Sequence, residues 1–541
     1  MNKHKYILLL ACIGMILTSC SESFLDTEPL TSVTTENYYK TIDDAERALI
    51  ACYDGWQSTS SNNGGYAFYL ASEVMADECF GGTGNNDTKE FQTIDRFDIS
   101  FSSSTMSLFN INWTDGYAGI FRCNTLIQKL DQIDWKGDDN IRNRIEGETR
   151  ALRALLYFDL VRMFGNIPLL EEPTEENIPQ ADPKEVYALI VEDLKFTANN
   201  LPANAYPKAN ASQNDGRITS YAAKALLARV YLYYTGYYGA DDLGISASEA
   251  LAGLEDIISS GEYDLVEEFK NLWPAASSSP VNGELRFETT YAGDGNIETV
   301  LAQKFNTTHD YDGNLDGNRW LVMMGMRETS FSPYGQGWGA CPVNPAIWNA
   351  FEAGDARKTA SIIDVRGEGI EPSYNIPGQR EYTGFMVKKY TPMAFYDGTS
   401  ASKDDGSGNF QDNQHQDFVV VRYADVLLMA AELGSSNAQN YFDRVRLRAG
   451  LSPKAVSKEN ILRERYFEFA FEGLRYWDLL RQGVDYAAGI IAEAGVDVLS
   501  GGNPDQVTID AAKIRASKGL CQIPKTQIDL SQGVLKQNEG W

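Results

Sequence analysis

Residues 150–168 read RALRALLYFDLVRMFGNIP, and this stretch is the strongest structural signal in the chain. Apolar side chains recur in it at spacings of three and four residues, which places them on one face of an α-helix. They are Leu152, Leu155, Leu156, Leu160 and Met163. The pattern predicts a helix over 145–164, and the segment Gly165 to Pro168 ends it because glycine and proline interrupt helices.

Helical patterns continue on both sides of this stretch. An N-terminal helix is predicted from Thr41, where a hydroxyl is followed by two acids. Further helices are predicted at 183–200, 217–235, 246–260, 422–433, 437–449 and 459–481. The segments between 145 and 260 form two successive pairs with roughly the period of tetratricopeptide repeats, although the consensus of that repeat is absent.

The middle of the chain, from about 262 to 420, is rich in Gly, Asn, Asp, Ser and Pro. Short β-like runs lie within or beside it, at Leu285 to Thr290 and at Phe418 to Val421. The fold class that follows is mostly α, a helical scaffold with long loop-rich excursions and short β-strands.

The charge balance excludes one class of partner. The 541 residues contain 47 Lys and Arg against 75 Asp and Glu, a formal charge of −28. Binding to nucleic acid requires concentrated positive charge, so we expect no nucleic-acid partner. The 9 Trp, 29 Tyr and 24 Phe suffice for a large packed core.

The N-terminus is predicted to be an export signal. Lys3 and Lys5 precede an apolar run of about a dozen residues, which is too short to span a bilayer. The sequence Leu17-Thr18-Ser19-Cys20 resembles a bacterial lipoprotein box, which implies removal of residues 1–19 and lipidation of Cys20. The alternative is an ordinary secreted chain with a chance cysteine there. Residues 20–40 are polar and are predicted to be a tether.

Residue counts exclude several kinds of catalytic site. The chain after Ser19 has only His309 and His415, and it lacks the phosphate-loop and nucleophile-elbow motifs. Glu464, Glu468 and Glu472 lie four residues apart, which would place them on one helix face. Paired carboxylates can serve a glycosidase. Six arginines lie on or just before the same segment, however, and this favours an ion-pair network that holds helices together: Arg444, Arg446, Arg448, Arg463, Arg465 and Arg475.

An oxygen-rich turn matches half of a calcium loop. Asp312, Asn314 and Asp316 occupy the first ligand positions, followed by Gly317. Met323 stands at the twelfth position, where a bidentate glutamate is required. A structural calcium is therefore one hypothesis for this turn, and a solvated turn is the other; no other cofactor is expected.

Several aromatic residues fall outside helical periodicity in the loop-rich middle: Trp273, Tyr291, Tyr311, Trp320, Tyr334 and Trp338. Flat rings beside Asn, Asp and Arg suit sugars, which have apolar C–H faces and hydroxyls that need hydrogen-bond partners. The alternative is that these rings only fasten loops to the scaffold.

Several blocks of sequence, in order, carry a resemblance to a known family. Besides 150–168, they are Phe24-Leu25-Asp26 with Pro29, the group Trp113, Tyr117, Ile120, Arg122 and Asn124, then 222–232, 345–357 and 422–428, the pattern around Glu464 to Arg481, and the ends Ile523-Pro524 and 537–541. On these blocks the chain resembles the SusD/RagB family of outer-membrane nutrient-binding lipoproteins.

The resemblance implies a SusD-like helical fold with tetratricopeptide-like helix pairs and no catalysis. It implies an N-terminal SusD-like part at 41–261 and a C-terminal RagB/SusD part at 262–541 that carries the ligand-binding loops. It also implies a position on the surface of the bacterial outer membrane, as a lid over a SusC-like TonB-dependent transporter that receives an oligosaccharide.

No motif of the family transfers the ligand site, so candidates are chosen from the loops. The candidates are Trp320, Trp338 and Tyr291 as stacking surfaces and Asp77, Arg96, Asn112 and Asn314 as hydrogen-bond partners, with Trp113 assigned to the core. The acidic body favours a neutral glycan. A peptide ligand with the same fold and partner is one alternative, and a glycosidase is another.

Overall fold

The computed structural model describes residues 38–60, 68–101, 107–201, 216–306 and 316–541. Cys20, Asp312 and Asn314 lie outside the described residues, so the predictions made for them stay predictions. Within the described ranges, no helix combines the length and the apolar character that a membrane span requires. The five described cysteines are buried free thiols: Cys52, Cys79, Cys123, Cys341 and Cys521.

The N-terminal part is built from helices. They are α1 (Ile42–Gln57), α2 (Phe68–Val74), α3 (Glu90–Asp95), α4 (Asn110–Lys129), α5 (Asp139–Phe164), α6 (Pro183–Asn200), α7 (Ser220–Tyr238) and α8 (Ala247–Ser259). The predicted helices are confirmed, and their starts follow from local capping. Thr41 and Ser246 form capping boxes, and Pro183 occupies the first turn of α6. Helix α5 begins six residues before the predicted start because Asp138 caps it through the amides of Asn140 and Ile141.

Consecutive long helices pack against one another, from α4 to α8, and α1 packs on α4. Small residues allow the close approach of α1 to α4, because a Cβ on Gly55 would lie 2.9 Å from Gly119 Cα. A buried ion pair ties α5 to α6, since both Nε and Nη2 of Arg153 donate to the Asp193 carboxylate at 2.8 Å. The scaffold of helix pairs is thus fixed by both apolar and charged contacts.

The C-terminal part alternates short helices with short strands. The helices are α9 (Pro274–Ser277), α10 (Arg319–Met324), α11 (Pro345–Ala350), α12 (Arg357–Ser361), α13 (Tyr423–Glu432), α14 (Ala438–Arg448), α15 (Lys458–Glu468), α16 (Arg475–Leu480), α17 (Val484–Ile491), α18 (Ala511–Ala516) and α19 (Lys525–Leu530). The strands are β1 (Ser278–Pro280), β2 (Phe287–Thr289), β3 (Thr299–Gln303), β4 (Met326–Arg327), β5 (Gln336–Gly337), β6 (Ile362–Asp364), β7 (Phe385–Val387), β8 (Phe418–Arg422), β9 (Glu493–Ser500) and β10 (Asn503–Ile509).

The strands of the described part pair two by two, as β1–β2, β3–β8, β4–β5, β6–β7 and β9–β10. Only the β4–β5 pair is parallel among these. Both strands predicted from sequence are present, as β2 and β8. The mostly α architecture with loop-rich excursions is confirmed.

One predicted helix is wrong in its extent. The segment 459–481 is two helices, α15 and α16, because the chain between them takes left-handed backbone conformations at Phe471 (φ 64°) and Gly473 (φ 72°). Glu464 and Glu468 lie on α15, whereas Glu472 lies in the turn. The three glutamates therefore do not form one helical ladder, although they converge on the same cluster of arginines.

That cluster is a buried ion-pair network. The network has Arg357, Arg422, Arg446, Arg448 and Lys389 as cations and Glu298, Asp355, Glu464, Glu468 and Glu472 as acids, and every one of these side chains is less than 10% exposed. Arg448, Arg422 and Arg357 hold the pKa of Glu468 well below its usual range. The glycosidase hypothesis for these glutamates is wrong, because a general acid must exchange its proton with a substrate in an accessible cleft.

Two further buried carboxyl groups, one on α2 and one just after it, bond to the turn at 471–473. Glu73 is 1% exposed and Glu78 is fully buried. Glu73 Oε1 accepts from the Gly473 amide, and Glu78 Oε2 accepts from the Phe471 amide at 3.2 Å. Burial raises the pKa of Glu73 to about 8, and burial together with the nearby Glu73 raises the pKa of Glu78 well above its usual range. The pair therefore holds protons at neutral pH.

This pair predicts a pH dependence of folding. The unfolded chain ionises Glu73 near pH 4.5 and the folded chain near pH 8, so the free energy of unfolding is expected to fall as pH rises through that window. Replacing Glu73 with Gln removes the ionisable group and is expected to raise stability at pH 8 by about 1–3 kcal/mol. Urea unfolding at pH 5 and pH 8 measures the effect. Glu284→Gln, on an exposed connection between strands, is the matched control. An equal change in unfolding free energy between pH 5 and pH 8 in the wild type and in both variants would contradict the prediction.

Candidate functional site

Trp320 is a core residue, so its predicted role as a stacking surface is wrong. Its side chain is 1% exposed. The ring stacks with Tyr390 at 4.6 Å and Tyr69 at 5.4 Å between centroids, and Phe418 meets it edge-on at 4.3 Å. No surface remains for a sugar. The apolar run of α10, in which Trp320 is followed by Leu, Val and two Met, is the sequence signal for burial.

Asp77 and Arg96 serve the fold. Asp77 accepts two hydrogen bonds from Arg475, at 2.7 and 2.8 Å. Arg96 is 7% exposed and donates to Asp95 at 3.0 Å and to Glu381. Their predicted role as sugar ligands is corrected, because their polar groups are already used in ion pairs whose side chains are 13% exposed or less.

Asn112 also lies inside the scaffold, on α4, with 8% exposure. Beside it, Trp113 is 5% exposed and packs against Phe164 and Tyr117, with centroids 5.2 Å apart in both cases. The assignment of Trp113 to the core is therefore confirmed. The predicted sugar contact through Asn112 is corrected, because its side chain is covered by the scaffold.

Tyr291 is half-buried, and its hydroxyl donates to Asp294 at 2.6 Å. It lines a cavity of about 10 Å³ with Trp273 and Asp417, which has room for one water molecule but not for a sugar. Burial and the nearby Asp294 raise the pKa of Asp417 to about 7. Asp417 also forms an ion pair with Lys304 and accepts a hydrogen bond from the Phe305 amide, so it fixes the chain at these two residues. The stacking role of Tyr291 stays a prediction.

Trp338 is half-buried, so part of its side chain remains exposed. It follows β5, whose pairing with β4 brings Gly337 so close to Gly325 that a Cβ would lie 2.6 Å from Gly325 Cα. The Trp338 amide donates to the Val322 carbonyl at 3.0 Å. The backbone is therefore fixed on both sides of a half-buried indole ring. The Arg319 guanidinium lies 3.9 Å from the ring centroid, within the range of a cation–π contact.

Loops from both halves of the chain meet at the segments that flank Trp338. The Thr83 amide donates to the Gly339 carbonyl at 2.7 Å, and Arg327 donates to Asp87 at 3.2 Å. The Arg319 amide donates to the Ser60 carbonyl at 3.3 Å. We call Trp338 with Arg319, Arg327 and Asp87 the Trp338 surface.

Of these four residues, the sequence predicted only Trp338. Arg319 and Arg327 were missed because they lie 19 and 11 positions before it, and no periodicity in the sequence links them to the ring. Residues 83–87 of the N-terminal half contact the C-terminal loops here, through Thr83 and Asp87. The surface offers a half-buried apolar ring with the Arg319 guanidinium over it, and a flat face beside hydrogen-bond donors suits a polyhydroxylated ring.

Of the predicted calcium turn, only Asp316 and Gly317 lie among the described residues. Asp316 is half-buried, and its carbonyl accepts from the Asn306 amide at 3.0 Å. Among the described residues, no group of three or more His, Cys, Asp and Glu is arranged to hold a metal ion. Asp312 and Asn314 lie outside them, so the calcium hypothesis and the ligand role of Asn314 stay predictions.

Comparisons with known proteins agree in both halves of the chain. Residues 23–232 match the SusD-like family described as "Starch-binding associating with outer membrane", and residues 364–541 match the SusD/RagB family described as "SusD family". The SusD-like protein P38 of Formosa agariphila is 25% identical over 522 residues, which cover 89% of this chain and 92% of that protein.

Two solved structures share the fold over 93% of this chain and the whole of theirs. A laminarin-binding SusD-like protein is 27% identical, with a TM-score of 0.71. The surface glycan-binding protein A of Bacteroides thetaiotaomicron, solved with laminarihexaose, is 24% identical, with a TM-score of 0.74. With two matched segments, near full-length relatives and the helical scaffold in agreement, the chain belongs to the SusD/RagB family of SusD-like proteins.

Proposed function

We propose that the protein is a non-catalytic surface glycan-binding protein that captures an oligosaccharide at the Trp338 surface. The observation that carries this proposal is the half-buried indole ring, held by its backbone at Val322 and by the β4–β5 pair, with the Arg319 guanidinium 3.9 Å from the ring centroid. Of the two other stacking candidates, Trp320 is buried and Tyr291 lines a cavity of water size. Membership of the SusD/RagB family supports the same function.

A neutral glucan is the first ligand to test. One solved relative is named as laminarin-binding and another was solved with laminarihexaose. The formal charge of −28 opposes the approach of polyanions, although screening limits this to about 8 Å at physiological salt. Within the Trp338 surface, the charge of Arg327 is already balanced by that of Asp87.

Calorimetric titration of the mature chain with laminarihexaose, laminarin and a panel of neutral and uronate-containing polysaccharides tests the proposal. Binding to at least one neutral glycan, with weaker binding to the anionic ones, is the expected result. Failure to bind any glycan, together with peptides co-purifying with the protein, would replace the proposal with the peptide-binding alternative.

The proposal extends to transport. In it, the protein covers a SusC-like TonB-dependent transporter as a lid and delivers the glycan on closure, held to the outer membrane by lipid on Cys20. The matched family description, which names association with the outer membrane, and the lipoprotein box support this. Co-purification of a SusC-like barrel with tagged protein from outer membranes is the expected result, and a tagged protein that emerges alone would contradict it.

Anchoring gives a separate prediction. Cys20→Ala is expected to abolish incorporation of labelled palmitate and to release the protein from the membrane fraction, because the acyl chains supply the membrane affinity. Cys521→Ala, which removes a buried thiol, is the control and should remain attached. Continued membrane attachment of the Cys20→Ala variant would show that the chain is held by another means.

A further inference from the structure

A second concave surface lies apart from Trp338, between a small sheet and the C-terminal hairpin. Strands β6 and β7 pair with Asp364 opposite Phe385. The hairpin of β9 and β10 joins this sheet through Leu499, which exchanges two backbone hydrogen bonds with Tyr382, at 2.7 and 2.9 Å. The space between them is a cleft of about 760 Å³, within the range of about 300–1,000 Å³ that is typical of ligand sites.

The floor of the cleft is rigid. Tyr382 is 4% exposed and packs on Tyr374 with ring centroids 5.1 Å apart, in a satellite core that includes Ile363 and Met386. Phe385 lines the cleft and stacks on Trp348 at 4.9 Å with an angle of 28°. A ligand would therefore meet a surface that is already formed, which lowers the entropic cost of binding.

The polar groups of the lining are mostly acceptors. Asp364, Asp497 and Asp505 each accept one hydrogen bond at 2.8 Å through Oδ1, from Gly367 N, Gln506 Nε2 and Gln506 N. These bonds orient the carboxylates and use only one oxygen of each. The cationic side chain in the lining, Arg366, is held by two hydrogen bonds to Glu371, at 2.9 and 3.1 Å.

Such a lining complements hydroxyl groups and repels anions. Sugar hydroxyls donate to carboxylates, while Phe385, Leu499 and Pro504 offer apolar contact to the C–H faces of a sugar ring. An anionic glycan would meet three carboxylates and one cation that is already paired. We propose that this cleft is a second glycan subsite, which holds a neutral segment of the same polysaccharide that the Trp338 surface binds. This inference rests on the proposed function.

The two sites are connected through a short rigid path. Gln379 Nε2 donates to the Gly339 carbonyl at 2.8 Å, next to Trp338, and the Gly501 amide of the hairpin donates to the Gln379 carbonyl at 2.9 Å. Tyr382, three residues after Gln379, forms the floor of the cleft. A long glycan that occupies both sites gains affinity by effective concentration, whereas a short oligosaccharide does not.

The test compares a hexasaccharide with a long polymer in calorimetric titrations of the full mature chain. The double variant Asp497→Ala/Asp505→Ala removes two exposed acceptors and is expected to weaken polymer binding by about tenfold while leaving hexasaccharide binding unchanged. Asp397→Ala/Asp405→Ala, two exposed aspartates in other turns, is the control with the same change in charge. Thr383→Trp, which fills the cleft from the side of the sheet, should reproduce the loss.

The outcomes separate the two proposals. Unchanged polymer binding in both cleft variants, with loss of binding in Trp338→Ala, overturns the second subsite and leaves the proposed function in place. Equal losses for hexasaccharide and polymer in the cleft variants would also overturn it, because the cleft would then belong to one continuous site. A wild-type chain that binds no glycan of either length overturns both proposals.

Discussion

Replacing Arg422 with methionine is expected to lower the free energy of unfolding by about 3–5 kcal/mol, a large part of the stability of a typical domain. Arg422 is 2% exposed and is the centre of the buried ion-pair network. Its guanidinium donates to Glu298 at 2.7 Å, to Glu468 at 2.5 Å and to Glu472 at 2.8 Å. Methionine fills much of the same volume, but it leaves three buried carboxylates without the cation that they share.

The pH dependence distinguishes the lost charge from lost packing. Arginines hold the pKa of Glu468 below its usual range, so its contribution to stability is present above pH 4.5 and is lost as pH falls toward the folded-state pKa. The destabilisation by Arg422→Met should therefore be larger at pH 7 than at pH 4. Chemical denaturation at both pH values measures it.

Arg366→Met is the matched control for this experiment. Arg366 also makes a two-bond ion pair, with Glu371, but its side chain is 80% exposed. Solvent-exposed pairs contribute about 0–1 kcal/mol, so the control should change stability by less than about 1 kcal/mol. If Arg422→Met costs no more than the control, or costs the same at both pH values, the network does not stabilise the fold as argued.

The helical scaffold was predictable because its signals are local. The apolar spacing of 150–163, the cap at Thr41 and Pro183 in the first turn of α6 each act within a few residues. The extent of the helix from 459 was not predictable in the same way. Gly473 is a visible breaking signal, but the left-handed conformation of Phe471 is imposed by the turn that Glu73 and Glu78 stabilise from almost 400 residues away.

The candidate site was less predictable because exposure depends on contacts far apart in sequence. Trp320 and Trp338 are 18 residues apart in similar loop-rich sequence, yet Trp320 is closed off by Tyr69 and Tyr390 while Trp338 remains accessible. Asp77 is excluded as a ligand candidate because its carboxylate pairs with Arg475, which is 398 positions away in the sequence. Only residue types, and not such pairings, can be read from the chain.

Replacing Trp338 with alanine is expected to weaken glycan binding by a factor of about 30, equivalent to about 2 kcal/mol. The ring supplies the flat apolar surface of the site, and its backbone is held independently by the Val322 carbonyl and the β4–β5 pair. The fold should therefore survive the change. Trp338→Phe, which keeps a ring, should retain part of the affinity. Calorimetric titration with laminarihexaose and thermal unfolding of each variant are the two measurements.

Arg319 refines this expectation, because its guanidinium lies 3.9 Å over the ring that a sugar would use. A sugar that stacks on that face must displace the guanidinium, whose donors can then bind the sugar hydroxyls. Arg319→Ala should therefore cost less affinity than Trp338→Ala, since it removes donors but uncovers the ring. Tyr486→Ala, at an aromatic ring 49% exposed on α17, is the matched control and should bind normally. Normal binding by Trp338→Ala would instead place the site elsewhere, because no other contact of this surface supplies a ring.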